Sequence, residues 1–447
     1  MHSSTFLFKH ILCFSRPWPL LAGLAMASVA TLGQAQTQPE PLEPIDSPWK
    51  VSGFGTLGMV SQSGGNGWGF TRNITQLGAN ASTSATQDSR LGLQLNWSSG
   101  TQWEGGIQGV AVRKPSGTPA RDYIEWAYLG YRPWPNARLR IGRTSPDLFL
   151  FADSRNVGFA LPWARPPVDF YGFVPLVSID GADFEQHWFT NESTWRARVT
   201  AGSIDTSVTT LDGSRAKLQG RQVGVLGLSR EQGGLLLKAS YARSQQQITT
   251  GSDPALLRQG LSQLATLPVP GLANTLDRLA QNLWTAGPTS YLALATQYET
   301  GPWTLIAEAS QLRVPGSPLN ARRAYISAGY RQGNVTYYGL ASQVKPRNDA
   351  VTEPDLASSL TPILGAQGAA QAQALAGYAA AAGDRYRFDQ RTIGVGLRWD
   401  FAPNAALKLQ VDRFNINRHG AAGWRDSDGR AAQGTLVSVL VDFVWGQ

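Results

Sequence analysis

Thr392-Ile393-Gly394-Val395-Gly396-Leu397-Arg398-Trp399-Asp400-Phe401 alternates without a break. Ile393, Val395, Leu397, Trp399 and Phe401 fall on one side, and Thr392, Gly394, Gly396, Arg398 and Asp400 on the other. A period of two sends successive side chains to opposite faces of a strand, so this stretch reads as a strand with one apolar and one polar face. The pattern returns in residues 90–97, where Leu91, Leu93, Leu95 and Trp97 oppose Arg90, Gly92, Gln94 and Asn96. It returns again in 407–412, and in the last strand, where Val437, Val439, Val441, Phe443 and Trp445 oppose Ser438 and Asp442. A single such strand would suit a soluble sandwich equally well. The spacing of the strands separates the two.

Sixteen strands are predicted, near 49–61, 89–98, 101–113, 122–133, 137–144, 180–190, 194–204, 218–230, 233–244, 289–299, 302–313, 321–332, 334–345, 390–401, 404–415 and 435–446. The count becomes eighteen if a long loop hides a hairpin. Short turn sequences such as Ser98-Ser99-Gly100, Gln232-Gly233, Thr300-Gly301 and Ala402-Pro403-Asn404 alternate with long connections. Tight turns at one end and long loops at the other describe an all-β transmembrane antiparallel barrel, with the long loops extracellular. A soluble domain seldom tolerates so many long loops in strict alternation. Aromatic placement points the same way. Trp97 and Trp103 flank the first short turn, Trp188 and Trp195 the third, Tyr298 and Trp303 the fifth, and Tyr330 and Tyr337 the sixth, while Trp399 flanks the seventh and Trp445 closes the last strand. Rings recurring at one height form an interfacial girdle facing outer-membrane lipid and lipopolysaccharide; cross-strand packing beside turns is the blander reading.

The segment 1–35 reads as a secretory signal peptide. It has basic Lys9, His10 and Arg16, no acidic residue, an apolar run over 20–32, and Gly33-Gln34-Ala35 before the cleavage point. That run is short of the roughly 20 residues a spanning helix needs. Residues 36–48 are then a periplasmic linker and 49–447 the barrel, which leaves no room for a plug domain. Cys13, the sole cysteine, departs with the signal, so no disulfide or cysteine metal site is expected. The net charge falls from +8 to +6 as Lys9 and Arg16 leave, and no Lys/Arg block suggests nucleic acid. After the signal no apolar stretch approaches 18 residues, so helical spans are excluded.

Parity assigns the lumen. The fifth strand puts Arg138 and Arg140 inward, the seventh Arg196 and Arg198, and the sixth Asp183, Glu185 and His187 between them. Arg90 and Arg323 add positive charge elsewhere; Glu104, Glu125 and Glu308 add negative charge. Walls of opposite sign in a narrow channel set a transverse field that sorts ions. The same charges would equally pair with one another and keep the wall hydrated. The surplus of arginine favours mild anion preference. The third external loop, 145–179, is the expected constriction. It carries Asp147, Asp153, Arg155, Arg165 and Asp169 among Phe149, Phe151, Phe159, Trp163, Phe170, Tyr171 and Phe173, and is stiffened by Pro162, Pro166, Pro167 and Pro175. Rings in such number must pack, which folding inward allows. They would also serve as a stacking track for sugars or aromatic acids. Loops 245–288 and 346–389 read as partly helical, from leucines at helical spacing such as Leu272, Leu276, Leu279 and Leu283. No catalytic constellation, metal site or cofactor is expected: only His187 and His419 remain after the signal, and the parity of His187 is inward, where a lipase would need it outward.

Val51-Ser52-Gly53-Phe54-Gly55-Thr56-Leu57, Asp88-Ser89-Arg90-Leu91-Gly92-Leu93 and Val439-Leu440-Val441-Asp442-Phe443-Val444-Trp445 resemble the first, second and terminal strands of Gram-negative outer-membrane porins. Here Gly446-Gln447 follow Trp445, where porins usually end on an aromatic residue read by the barrel-assembly machinery. The resemblance implies a homotrimer of 16-stranded barrels, each with its third loop folded into the lumen. The implied function is passive diffusion of small hydrophilic solutes or ions. The rivals are a channel specific for an organic acid or sugar, a lipase-like barrel enzyme, and a structural or adhesin barrel.

Overall fold

The computed structural model of the protein describes residues 48–174, 178–251, 254–315, 317, 319–384 and 386–446; the expected signal segment, the linker up to 47 and Pro175 lie outside them. The wall consists of β1 (Trp49–Gly64), β2 (Arg90–Ser99), β3 (Trp103–Ala111), β4 (Ile124–Tyr131), β5 (Ala137–Thr144), β6 (Ile179–Phe189), β7 (Thr194–Thr209) and β8 (Arg215–Gln232). It continues through β9 (Leu235–Thr249), β10 (Ala286–Thr300), β11 (Trp303–Arg313), β12 (Ala321–Gln332), β13 (Val335–Pro346), β14 (Phe388–Ala402), β15 (Ala405–Ala421) and β16 (Ala432–Trp445). Each strand runs antiparallel to the next, and β16 pairs back onto β1 from Gly53↔Trp445 to Gly64↔Gly434. The ring therefore has no open edge, and its backbone groups are satisfied without water. Sixteen strands close it. Thr83–Ser84, paired to β1, and Gly69–Phe70, paired to Trp424–Arg425, are two-residue pieces of the loops.

The two faces follow the alternation. Ile393 and Val395 are 65% and 60% exposed on the outside, whereas inward-facing Asp412 and Ser438 are buried. The turns at one end span two to five residues. In the tightest, Gly233 and Gly234 both take positive φ (55° and 79°), as a two-residue turn matching strand twist requires.

The fourth external connection differs from expectation. β7 and β8 run on to Thr209 and from Arg215, so only a five-residue turn joins them. The inward positions there, Val208, Ala216 and Leu218, are apolar and pack with Ile74 and Phe173. The polar–apolar contrast disappears although the strands do not.

Helix α1 (Val168–Tyr171) lies in the third loop; α2 (Pro254–Leu264), α3 (Leu272–Gln281) and α4 (Ala357–Asp384) lie in the fifth and seventh. Gly271, at φ 80°, breaks the chain between α2 and α3. Leu261, Leu276, Leu279, Leu360, Ala372 and Ala376 bury one shared core, so these loops form a helical layer of their own. Among the described residues no helix is long and apolar enough to cross a membrane.

Candidate functional site

Along β5, β6 and β7 every second side chain faces the lumen, and there opposite charges meet. Arg138 reaches Glu185 at 3.0 Å and Glu104 at 3.6 Å; Arg140 reaches Asp183 at 3.0 Å. Arg196 bridges Glu185 (2.7 Å) and Asp147 (3.3 Å), and Arg198 sits between Asp183 (3.4 Å) and Asp153 (3.5 Å). His187 contacts Glu185 at 3.2 Å. The arginines are therefore not a free positive wall but half of an ion-pair network. Its exposure is uneven: the side chains of Arg138 and Arg196 are 22% exposed, those of Glu185 and Asp147 only 6% and 5%. Arg138 and Arg196 are more exposed than their carboxylate partners, whereas Arg140 and Arg198 are buried with Asp183 and Asp153 is half exposed.

The third loop crosses from this wall to the opposite one. Near its start Asp147 binds Lys238 of β9 at 2.5 Å. Burial alone would raise the Asp147 carboxyl, but Lys238 and Arg196 outweigh it and hold the group well below the usual carboxylate range. Further on, Lys238 and Ser240 donate to the carbonyls of Phe149 and Leu148, and Leu150 N–H donates to Glu308 of β11. Glu308 also accepts from the hydroxyls of Tyr171 and Tyr325. At the far wall Lys408 donates to the carbonyls of Gly158 (2.7 Å), Leu161 (2.6 Å) and Trp163 (3.0 Å) while pairing with Asp442 at 2.9 Å. A Cβ on Gly158 would collide with the Asp442 carboxylate and the Thr56 hydroxyl, so only glycine lets the loop approach this closely. Arg398 donates to the carbonyls of Phe159 and Leu161, and Trp163 Nε1 donates to Ser327 at 2.8 Å.

Arg165 is buried between Asp88 (2.7 Å) and Asp412 (3.3 Å). Asp169 accepts from Ser342 and Gln390, both at 2.7 Å. Burial pushes its carboxyl up to about 6 against those hydrogen bonds. The rings join in edge-on contacts, Phe149 with Tyr291 and Trp163 with Tyr325 among them.

The loop thus covers one side of the interior. Inward residues of β9–β15, such as Ser240, Glu308, Tyr325, Tyr338 and Lys408, are buried beneath it. On β2–β5, Gln94, Asn96, Glu104, Glu125, Tyr128 and Arg138 stay half-exposed. Of the other expected residues, Arg90 donates to the Asn156 carbonyl of the loop, Asn156 in turn donates to Glu125, and Arg155 lies buried near Glu125. Arg323 is buried in β12, apart from the ion-pair network. Outside, Trp103, Trp188, Trp303 and Trp399 are 43–49% exposed and Tyr298 39%; Trp97, Trp195 and Trp445 are half-exposed. The Trp445 ring packs over Gly53.

Lys238, Lys408, Asp88 and Asp412 are the anchors that reading the sequence did not single out. Alternation does put Lys408 and Asp412 on the polar face. It carries no sign of which loop atom each will meet.

A closed, outwardly apolar β-barrel crossed by an inner loop, with hydrated charges on the uncovered wall, defines an outer-membrane channel. The sequence profile of the Gram-negative porin family matches residues 20–419, and the chain belongs to that family. No curated protein matches it. Solved structures that it resembles include OmpT of Vibrio cholerae (11% identity, TM-score 0.46, covering 90% of this chain and 99% of that one). The outer membrane channel DcaP of Acinetobacter baumannii is similar at 12% identity and TM-score 0.45, covering 89% and 97%. The anion-selective porin from Comamonas acidovorans is similar at 10% and 0.44, covering 89% and 99%.

Proposed function

We propose that small hydrophilic solutes and ions diffuse passively through the gap between the third loop and the β2–β7 wall, with mild preference for anions. The observation that carries this is the uneven exposure of two pairs in the network: the side chains of Arg138 and Arg196 are partly exposed, while those of Glu185 and Asp147 are buried. In a low-dielectric tube such layering leaves a weak positive field at the water side, although the charges nearly cancel. Asp153, Arg155 and Asp169 belong to the loop edge of the passage, and the outward rings to its seat in lipid. The reading includes three copies assembling in the outer membrane after export.

Reversal potential under a salt gradient in planar bilayers tests it. The wild type is expected to favour chloride modestly. Arg138→Gln with Arg196→Gln should shift the preference toward cations, because Glu185 loses both its arginine partners while Glu104 keeps Arg132 and Asp147 keeps Lys238. A reversal potential unmoved in a variant that still folds rejects this wall as the selective one.

A further inference from the structure

The outer vestibule contains a cavity that the passage itself does not require. It is a recess open to solvent between the third loop and the extracellular halves of β7–β11. Ile74, Phe173, Val208, Leu218, Ile248 and Trp284 line it, so most of its wall is apolar. Thr289 and Tyr291 of β10 line it as well. The Thr289 side chain is 5% exposed and its hydroxyl has no hydrogen-bond partner.

Behind the cavity wall, next to Tyr291 and not itself in the lining, lies a charge without a counterion. Arg323 is 2% exposed, its Nε and Nη1 make no hydrogen bond, and among the described residues no carboxylate pairs with it. Its position is fixed by register. Val344 stands opposite it on β13, Ser310 opposite on β11, and Ala321 precedes it on the same face. Val344 and Ala321 belong to the apolar cluster formed by the cavity residues Ile74, Phe173, Val208 and Leu218. Tyr291, in the cavity wall, is its neighbouring titratable group. An isolated buried cation is costly unless an anion answers it, and among the described residues no side chain does so.

We infer that the cavity binds a small organic carboxylate, its apolar body against the Phe173–Leu218–Trp284 wall and its carboxylate at the Thr289 hydroxyl, on the side where Arg323 lies behind Tyr291. The site stands in the mouth of the passage proposed above and rests on that reading for its role in transport; binding itself needs no conduction. An apolar pocket with one cation selects the combination, since an anion without a body gains no burial and a neutral ring leaves the guanidinium unanswered.

Calorimetric titration of the detergent-solubilised full-length protein with sodium benzoate, benzamide and sodium acetate tests the inference. Benzoate should bind saturably at millimolar concentration or below, and acetate at least tenfold more weakly. Arg323→Gln should weaken benzoate at least tenfold and leave benzamide within twofold, while Arg323→Lys recovers most of the loss. Should Arg323→Gln not fold, Ala242→Leu fills the cavity from its wall without touching the charge and should abolish benzoate binding. Absence of saturable benzoate binding to folded wild type, or full affinity in either folded variant, overturns the proposal. Bilayer conductance of the same preparation separates the two readings. Conduction without binding removes this site alone, and binding without conduction upholds the site and removes the channel.

Discussion

Arg165 shows what a single side chain contributes to the inner loop. Its guanidinium forms a two-pronged contact with Asp88, touches Asp412, and donates to Ser438, so one residue ties the third loop to the first loop, β15 and β16. Arg72 also reaches Asp88 at 3.3 Å but does not approach Asp412 closely enough to pair with it. Arg165→Ala therefore strands a buried carboxylate, and the cost is expected to be about 3–5 kcal/mol. Urea unfolding in lipid vesicles should show a lowered midpoint, and single-channel records should become noisier as the loop loosens. Arg165→Lys should recover little, because a point charge does not reproduce the fork on Asp88. Unfolding and noise both unchanged in Arg165→Ala would mean that the loop is held elsewhere.

At the scale of elements, the third loop is a lid stitched to the far wall by backbone carbonyls as much as by charges. Asp169, in α1, gives that seam a pH dependence. Its carboxyl is raised from 3.8 to about 6, with burial the main cause and the nearby Asp412 adding to it. The folded protein therefore holds this proton more tightly than the unfolded chain does. The group's stabilising contribution is full below about pH 4, declines as pH rises toward 6, and is absent above that. Two pKa units correspond to about 3 kcal/mol as an upper bound. Between pH 4 and 7 the unfolding midpoint of Asp169→Asn should fall less than that of wild type; equal slopes would remove Asp169 from this role.

The strands and their facing were readable beforehand, because lipid outside and water inside impose a two-residue period that Leu91–Trp97 or Ile393–Phe401 display openly. The loop's destination was not. That Phe149 meets Tyr291, and that Lys408 collects three carbonyls, depends on contacts across more than a hundred residues that no local pattern encodes. Helical spacing did reveal α2 and α3, yet nothing in either loop's sequence indicated that their leucines would share a core with the alanines of α4.

For the whole molecule the bilayer is the solvent of the outer face, and depth should govern what that face tolerates. Leu294 sits at the middle of β10, 58% exposed on the outside, with Tyr298 and Trp303 near the turn below it. Leu294→Arg places a charge in hydrocarbon and is expected to cost about 2–4 kcal/mol, whereas Trp303→Arg, at the ring level, should cost about 1 kcal/mol or less from its charge. The ordering is the informative part. In a water-soluble protein, arginine at an exposed strand position would be nearly neutral at both sites, and the larger side chain lost at Trp303 would make that variant the weaker one. Urea midpoints of the two variants refolded into vesicles decide the matter: Leu294→Arg must be the less stable. The reverse order would mean that this band does not face lipid, and the height assigned to the ring girdle would have to move with it.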